Sequence, residues 1–208
     1  EGAATVSGEM TFTTDNWNVA QTVTVTGVND DNTTNESVAI SHSATSSDAD
    51  YNAVSIASVA VTLADDDTAG ITASAISGNT TEGATTATFT LVLNTQPTAN
   101  VVIGLTSSDT TEGTVSPSSM TFTNANWSAA QTVTVTGVND DIDDGDIVYS
   151  IVTAAATSTD TDYSTLNAAD VSVTNTDDDT AGITASAISG DTTEGATTAT
   201  FTLVLNTQ

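Results

Sequence analysis

Residues 71–96 read ITASAISGNTTEGATTATFTLVLNTQ, and the same stretch returns at 183–208 with one change, Asn79 to Asp191. Within it, Ala87, Phe89, Leu91 and Leu93 alternate with Thr88, Thr90 and Val92. A two-residue period places the apolar set on one face of an extended strand. The alternation continues outward through Val101, Ile103 and Leu105, Met120 with Phe122, Val133 with Val135, Ile147 with Tyr149 and Ile151, and Val171 with Val173. With the opening segment 71–76 this makes seven short strands, separated by clusters of Gly, Asn, Asp, Ser and Thr. Seven strands in about 110 residues predict an all-β, immunoglobulin-like sandwich. No window carries a helical period.

The repeat sets the domain organisation. QTVTVTGVNDD at 21–31 returns at 131–141, offset by 110, and DDDTAG at 65–70 returns at 177–182, offset by 112. The two-residue difference is expected in the loop beginning at Asp30-Asp31-Asn32 and Asp140-Asp141-Ile142. One complete unit spans 71–179, preceded by the back part of a unit at 1–67 and followed by the front strands of a third at 183–208. Copies this alike imply recent duplication, so the chain is expected to be an internal piece of a longer tandem array. An odd number of strands starts a unit at one pole and ends it at the other. Units joined by the brief Thr-Ala-Gly linkers at 68–70 and 180–182 should therefore stack end to end as a rod.

Charge restricts function. The 208 residues carry 27 Asp and Glu, no Lys or Arg, and a formal charge of −27. An average chain of this length would hold about 25 basic side chains. Without them, phosphate backbones and anionic membrane surfaces have nothing to bind. Catalysis by a Schiff-base lysine or an arginine clamp is also excluded. The absence of Cys removes disulfides, thiolate metal sites and thiol nucleophiles. No apolar run approaches 18 residues, so no segment is expected to insert in a membrane, and no leader pattern is present. His42, the one histidine, has no spaced Ser or Asp partner and is expected to be an ordinary strand residue, so the chain is not expected to be an enzyme.

The carboxylates cluster. In the complete unit they gather at Glu82, at Asp140, Asp141, Asp143, Asp144 and Asp146, and at Asp177, Asp178 and Asp179, with lesser groups at Asp109 and Glu112 and at Asp160 and Asp162. Glu82 follows the first strand, the Asp140 cluster the fifth and the Asp177 triplet the seventh, so all three should meet at one pole. Two carboxylates 4 Å apart repel by about 1 kcal/mol even at the dielectric of water. Many hard oxygen ligands on irregular loops, without His or Cys, select Ca²⁺. The competing expectation is a set of solvated acidic loops on a highly soluble surface. Asp48, Asp50, Asp160 and Asp162 follow the sixth strand, at the opposite pole. Stacking would bring Asp160 and Asp162 towards Asp65, Asp66 and Asp67 of the preceding unit, to bridge the joint through Ca²⁺ or water, unless they form a solvated Asp-rich turn.

Glu82-Gly83 after the first strand, Met120-Thr121-Phe122, the Thr-Val-Thr-Val strand leading to Asp140-Asp141, and the terminal Asp177-Asp178-Asp179 together resemble the Calx-beta domain. That calcium-binding β-sandwich is known from sodium–calcium exchangers and from many large bacterial surface proteins. The resemblance covers the complete unit and both partial ones. It implies Ca²⁺ ligation by Glu82, Asp140, Asp141, Asp143, Asp146, Asp177, Asp178 and Asp179. In the front partial unit it implies Asp30, Asp31, Glu36, Asp65, Asp66 and Asp67, and in the third unit Glu194. Asn32-Thr33-Thr34-Asn35 depart from the pattern where residues 142–145 are Asp-rich, so weaker or fewer ions are expected there. The expected function is a calcium-stiffened spacer in an extracellular or cell-surface adhesin or fibre, bacterial by the resemblance, whose partners are neighbouring repeats. One alternative is a self-assembling filament, in which 183–208 of one chain completes the sandwich of 1–67 in a neighbour, although no counterpart of Val101–Leu105 would be supplied. Another is a carbohydrate-binding module using Trp127. Trp17 and Trp127 both follow Asn and precede a strand, where packing on the sandwich is the commoner role.

Overall fold

Each apolar alternation of the complete unit becomes a strand in the computed structural model, which describes residues 3–195 and 197–208 and contains no helix among them. The chain divides into two units, residues 1–68 and 69–208. In the first, β1 (Ala4–Val6) pairs antiparallel with β2 (Val25–Gly27), and β3 (Glu36–Ile40) with β4 (Val59–Leu63).

The second unit contains the sandwich. Its strands are β5 (Ile71–Ala73), β6 (Thr80–Thr81), β7 (Thr86–Leu93), β8 (Val101–Ser107), β9 (Gly113–Ser116), β10 (Ser119–Phe122), β11 (Gln131–Gly137), β12 (Ile147–Thr153) and β13 (Val171–Thr176). They form a four-stranded sheet in the order β5-β7-β11-β9 and a five-stranded sheet in the order β10-β8-β12-β13-β6. Beyond them, β14 (Ile183–Ala185) pairs with β15 (Leu203–Leu205).

The strand count is therefore nine rather than the expected seven. The two additional strands, β6 and β9, read Thr-Thr and Gly-Thr-Val-Ser, and neither carries an apolar alternation. Both are halves of a strand that changes sheet. β6 leaves the β5 sheet to lie parallel to β13, and β9 pairs with β11 before β10 pairs with β8. Because each half keeps its direction, the pole assigned to every loop is unchanged.

The core lies between the sheets. Phe89, Leu91, Val133 and Val135 from one and Ile103, Leu105, Phe122 and Ile151 from the other are all at most 1% exposed. Full burial stabilises each such side chain by roughly 1.5–3 kcal/mol. Trp127 is partly buried against this cluster, and its carbonyl accepts from Leu93 N at 3.1 Å.

Residues 1–68 have the same back strands without that cover. QTVTVTG is a strand throughout 131–137, where β7 and β9 flank it, but at 21–27 only the last three residues pair. Phe122 and Tyr163 are 0% and 1% exposed, while their copies Phe12 and Tyr51 are 56% and 65% exposed.

Strand registers also revise the two-residue offset. Glu36 faces Leu63, and Ile147 faces Asn175, the counterpart of Leu63. Glu36 thus aligns with Ile147, at an offset of 111 between the 110 before it and the 112 after. One residue of the difference lies before this strand and one after it, not both in the acidic loop.

Candidate metal centre

Strand ends bring the carboxylates together. Thr81 pairs in parallel with Thr176, so the next residues, Glu82 and Asp177, emerge side by side, and Glu82 N donates to Thr176 O at 3.1 Å. Gly137 faces Gly113, which sets Val138 and the acidic loop beside Glu112; Val138 N donates to Glu112 O at 3.0 Å. The two glycines admit this convergence. A Cβ on Gly137 would strike Thr81 O and Asn175 Oδ1, and one on Gly113 would strike the Tyr149 ring.

Two groups of three carboxylates result. One oxygen from each of Glu82, Asp177 and Asp179 lies within 4.8 Å of the others, and the same holds for Glu112, Asp140 and Asp144. Two ligands on opposite sides of a Ca²⁺ ion, each at about 2.4 Å, stand about 4.8 Å apart, so each group spans what one such ion can bridge. Asp179 Oδ2 is buried and has no hydrogen-bond partner, an arrangement costly for a polar atom unless a cation or water meets it. All six donors are carboxylate oxygens, which fits Ca²⁺ and not a soft metal.

Electrostatics marks the same residues. Glu82, 3% exposed, has its carboxyl raised above the usual range by burial and by the charges of Asp177, Asp140 and Asp179, against the pull of the Asp178 N–H. Glu112, 7% exposed, is raised by burial and by Asp144, Asp109 and Asp140, although Asn175 Nδ2 donates to it at 3.3 Å. Asp179 is raised by burial and by Asp141, Asp177, Asp178 and Asp140. Asp177 is lowered, because Asp179 N at 2.8 Å and Gly145 N at 2.7 Å donate to it. Asp140 acts on Glu82, Glu112 and Asp179 alike and so couples the two groups.

The other expected ligands of this unit have different placements. Asp146 Oδ1 accepts from Asp177 N at 3.2 Å, Asp178 N donates to Glu82 Oε2 at 3.3 Å, and Asp143 Oδ2 accepts from Ala181 N at 2.8 Å. Asp141 O accepts from Gln208 N at 2.8 Å. The acidic loop therefore touches the linker and Gln208, just past β15. Glu194 is exposed and belongs to no such group among the described residues.

In the first unit the structure brings Asp30, Asp65 and Asp67 together, and the Asp67 carboxyl is raised by burial and by Asp65, Asp66, Asp31 and Asp30. Asp31 and Asp66 thus act on the group from outside it. Glu36 lies within β3, and Asn35 takes the place of Asp146: its Oδ1 accepts from Asp65 N at 2.8 Å. His42 lies just past β3, with Nδ1 3.1 Å from Ala57 O.

Glu112 and Asp144 complete the second group but were not among the expected ligands. Glu112 follows the third strand, so the odd-strand rule that located Glu82 also points to it. The solvated turn expected at Asp160 is instead a buried staple. Asp160 is 7% exposed and accepts from Thr98 N at 2.7 Å and Asp162 N at 3.0 Å. Burial works to raise its carboxyl, and these backbone donors outweigh that and hold it below the usual range. Beside it, Tyr163 donates to Thr95 O at 2.7 Å.

No family model and no curated protein matches this sequence. Among solved structures, the chain is similar to domains 4 and 5 of the S-layer protein SbsC, with 16% identity, 75% of this chain and 82% of that chain covered, and a TM-score of 0.31. Among the described residues, no helix is long and apolar enough to cross a membrane.

Proposed function

We propose that this chain is a calcium-binding structural spacer built of Calx-beta-like repeats, part of an extracellular or cell-surface adhesin or fibre, with no catalytic role. The observation that carries this reading is the Glu82, Asp177 and Asp179 group, with its buried, unpartnered Asp179 Oδ2, in a chain with no Lys or Arg to neutralise it. Glu82, Asp177 and Asp179 would hold one ion and Glu112, Asp140 and Asp144 a second. Asp30, Asp65 and Asp67 would hold one in the first unit. The ion supplies positive charge where the fold requires carboxylates to meet. Because Asp143 and Asp141 contact the linker and Gln208, ordering the acidic loop would also stiffen the junction to the following strands. Units joined in this way would form a rod in a calcium-rich exterior.

Melting followed during calcium titration tests the reading. At free ion 10- to 100-fold above the dissociation constant, each site adds about 1.4–2.7 kcal/mol. For a domain of this size that is about 6–11 °C per site. A melting temperature identical in EDTA, in Mg²⁺ and in saturating Ca²⁺ would leave the solvated-loop reading in its place.

A further inference from the structure

One buried neutral side chain ties together the segments that carry the two carboxylate groups of the complete unit. Asn175, 1% exposed near the end of β13, uses its whole amide. Nδ2 donates to Glu112 Oε2 at 3.3 Å and to Val138 O at 3.0 Å, and Oδ1 accepts from Thr80 Oγ1 at 3.0 Å. The same Thr80 oxygen, on a residue 0% exposed, lies 3.2 Å from the Tyr149 hydroxyl. With Tyr149 donating to Thr80 and Thr80 to Asn175, the polar groups form one directed chain that ends on the Glu112 carboxylate. The joined segments are those that bear the acids. Glu82 stands two residues after Thr80, Asp140 two after Val138 and Asp177 two after Asn175, while Glu112 is a direct partner.

The chemistry at this position calls for an amide. Both partners of Nδ2 are acceptors, a carbonyl and a carboxylate. A carboxylate in its place would meet them with a third acceptor, and an alkyl side chain would leave them unpaired. The first unit shows the network changing as a set. At the matching register positions Leu63 stands for Asn175, Val38 for Tyr149 and Ala4 for Gly113. The last exchange follows from the second: a Cβ on Gly113 would strike the Tyr149 hydroxyl, and valine at 38 has no hydroxyl to strike. We propose that Asn175 is the positioning residue shared by both acidic groups, holding the Glu82, Glu112, Asp140 and Asp177 segments in one frame so that each group meets its ion preformed. This rests on the calcium reading above and names the neutral residue that sets its geometry. A purely structural amide would contribute stability without acting on two ions at once.

Calcium chloride titrated calorimetrically into the full chain tests this, with melting in EDTA as the metal-free readout. Asn175→Leu, which installs the first unit's side chain, should weaken both ions of the complete unit by about 10- to 100-fold. The ion of Asp30, Asp65 and Asp67 should keep its wild-type constant. Thr80→Val keeps the side-chain shape, removes only the hydroxyl, and should weaken the same two ions by about tenfold; it decides the matter if Asn175→Leu shows no melting transition. Thr153→Val is the control. It removes an equally buried hydroxyl, which donates to Ala168 O at 2.8 Å at the other pole, and should lower the melting temperature in EDTA with every binding constant unchanged. Wild-type constants in the network variants, or equal weakening in Thr153→Val, would overturn the proposal and leave the calcium reading intact. A wild-type chain that takes up no calcium would remove that reading, and this positioning role with it.

Discussion

Replacing Glu82 with glutamine tests whether the acidic pole is built around a cation, because the expected effects with and without calcium have opposite signs. Glu82 is buried, and one of its oxygens stands within 4.8 Å of oxygens from both Asp177 and Asp179. At that separation each charge pair repels by about 0.9 kcal/mol at the dielectric of water and about 3.5 kcal/mol at an effective value of about 20. Protonation caps the penalty: neutralising a Glu of ordinary pKa at pH 7 costs about 3.7 kcal/mol. The amide removes the charge and can still accept from Asp178 N. In EDTA, Glu82→Gln should therefore stabilise the fold by about 1–3 kcal/mol, or about 4–12 °C for a domain of this size. In saturating calcium the variant loses an anionic ligand, and its calcium-induced rise in melting temperature should fall short of the wild-type rise by about one site, 6–11 °C. Differential scanning calorimetry of both proteins in both buffers gives the four temperatures needed. A variant less stable than wild type in EDTA, or one with an undiminished calcium response, would refute the assignment of Glu82 to a cation site.

The pH profile should divide in the same way. Glu82, Glu112, Asp179 and Asp67 have carboxyls raised in the folded state; their contribution is fully present below the ordinary carboxylate pKa and is lost as pH rises through the raised values. Melting temperature in EDTA should thus climb as pH falls from 7 towards 5. It should then drop below about pH 4, where Asp109, Asp160 and Asp177, lowered in the fold, begin to take up protons. Calcium, displaced by protons, should flatten or reverse the climb, and superimposable profiles in EDTA and calcium would count against bound metal. At the other pole, Asp160→Asn places an amide where a carboxylate accepts two backbone N–H groups. A loss of about 2–3 kcal/mol is expected, equal with and without calcium. A loss seen only in calcium would return Asp160 to the metal-bridging role considered from the sequence.

The sandwich was legible because its buried residues sit on one side of period-two strands. Ala87 to Leu93 and Val101 to Leu105 are apolar at every inward position, and a solvent-exposed strand would not need that pattern. β6 and β9 were illegible for the converse reason. Thr80 and Gly113 are buried by partners distant in sequence, Tyr149 and Asn175 for the threonine and Tyr149 for the glycine, and nothing local records that. The pole of the acidic loops followed from strand parity alone, since every residue that follows an odd strand must end there. How the carboxylates divide between two groups did not follow. That division depends on the Gly113–Gly137 pairing, which carries Glu112 to Asp140 and Asp144 and away from Glu82. Glu36 aligns with Ile147 at the start of a ladder rather than with a residue of the acidic loop, which only the facing residue, Leu63, reveals, and it still lines a cleft with Asp30, Asp65 and Asp67.

The paired copies separate local preference from context more sharply than a mutation could. QTVTVTG has one β-propensity wherever it occurs, yet it is a seven-residue strand with Val133 and Val135 fully buried in one copy and a three-residue strand in the other. The difference is the presence of β7 on its flank, a partner contributed by residues 40 to 50 positions away. Strand length here is therefore set by tertiary pairing, with propensity permitting and not dictating it. The same holds for charge. Asp177 and Asp179 become a group of three only where Glu82 is delivered by β6, while Asp65 and Asp67 meet Asp30 with no glutamate counterpart among them. The front strands supply both the apolar cover and the glutamate. Whatever completes the hydrophobic face of the first unit would in the same step add the buried carboxylate to its acidic cluster, so core closure and assembly of that glutamate-containing group are one event.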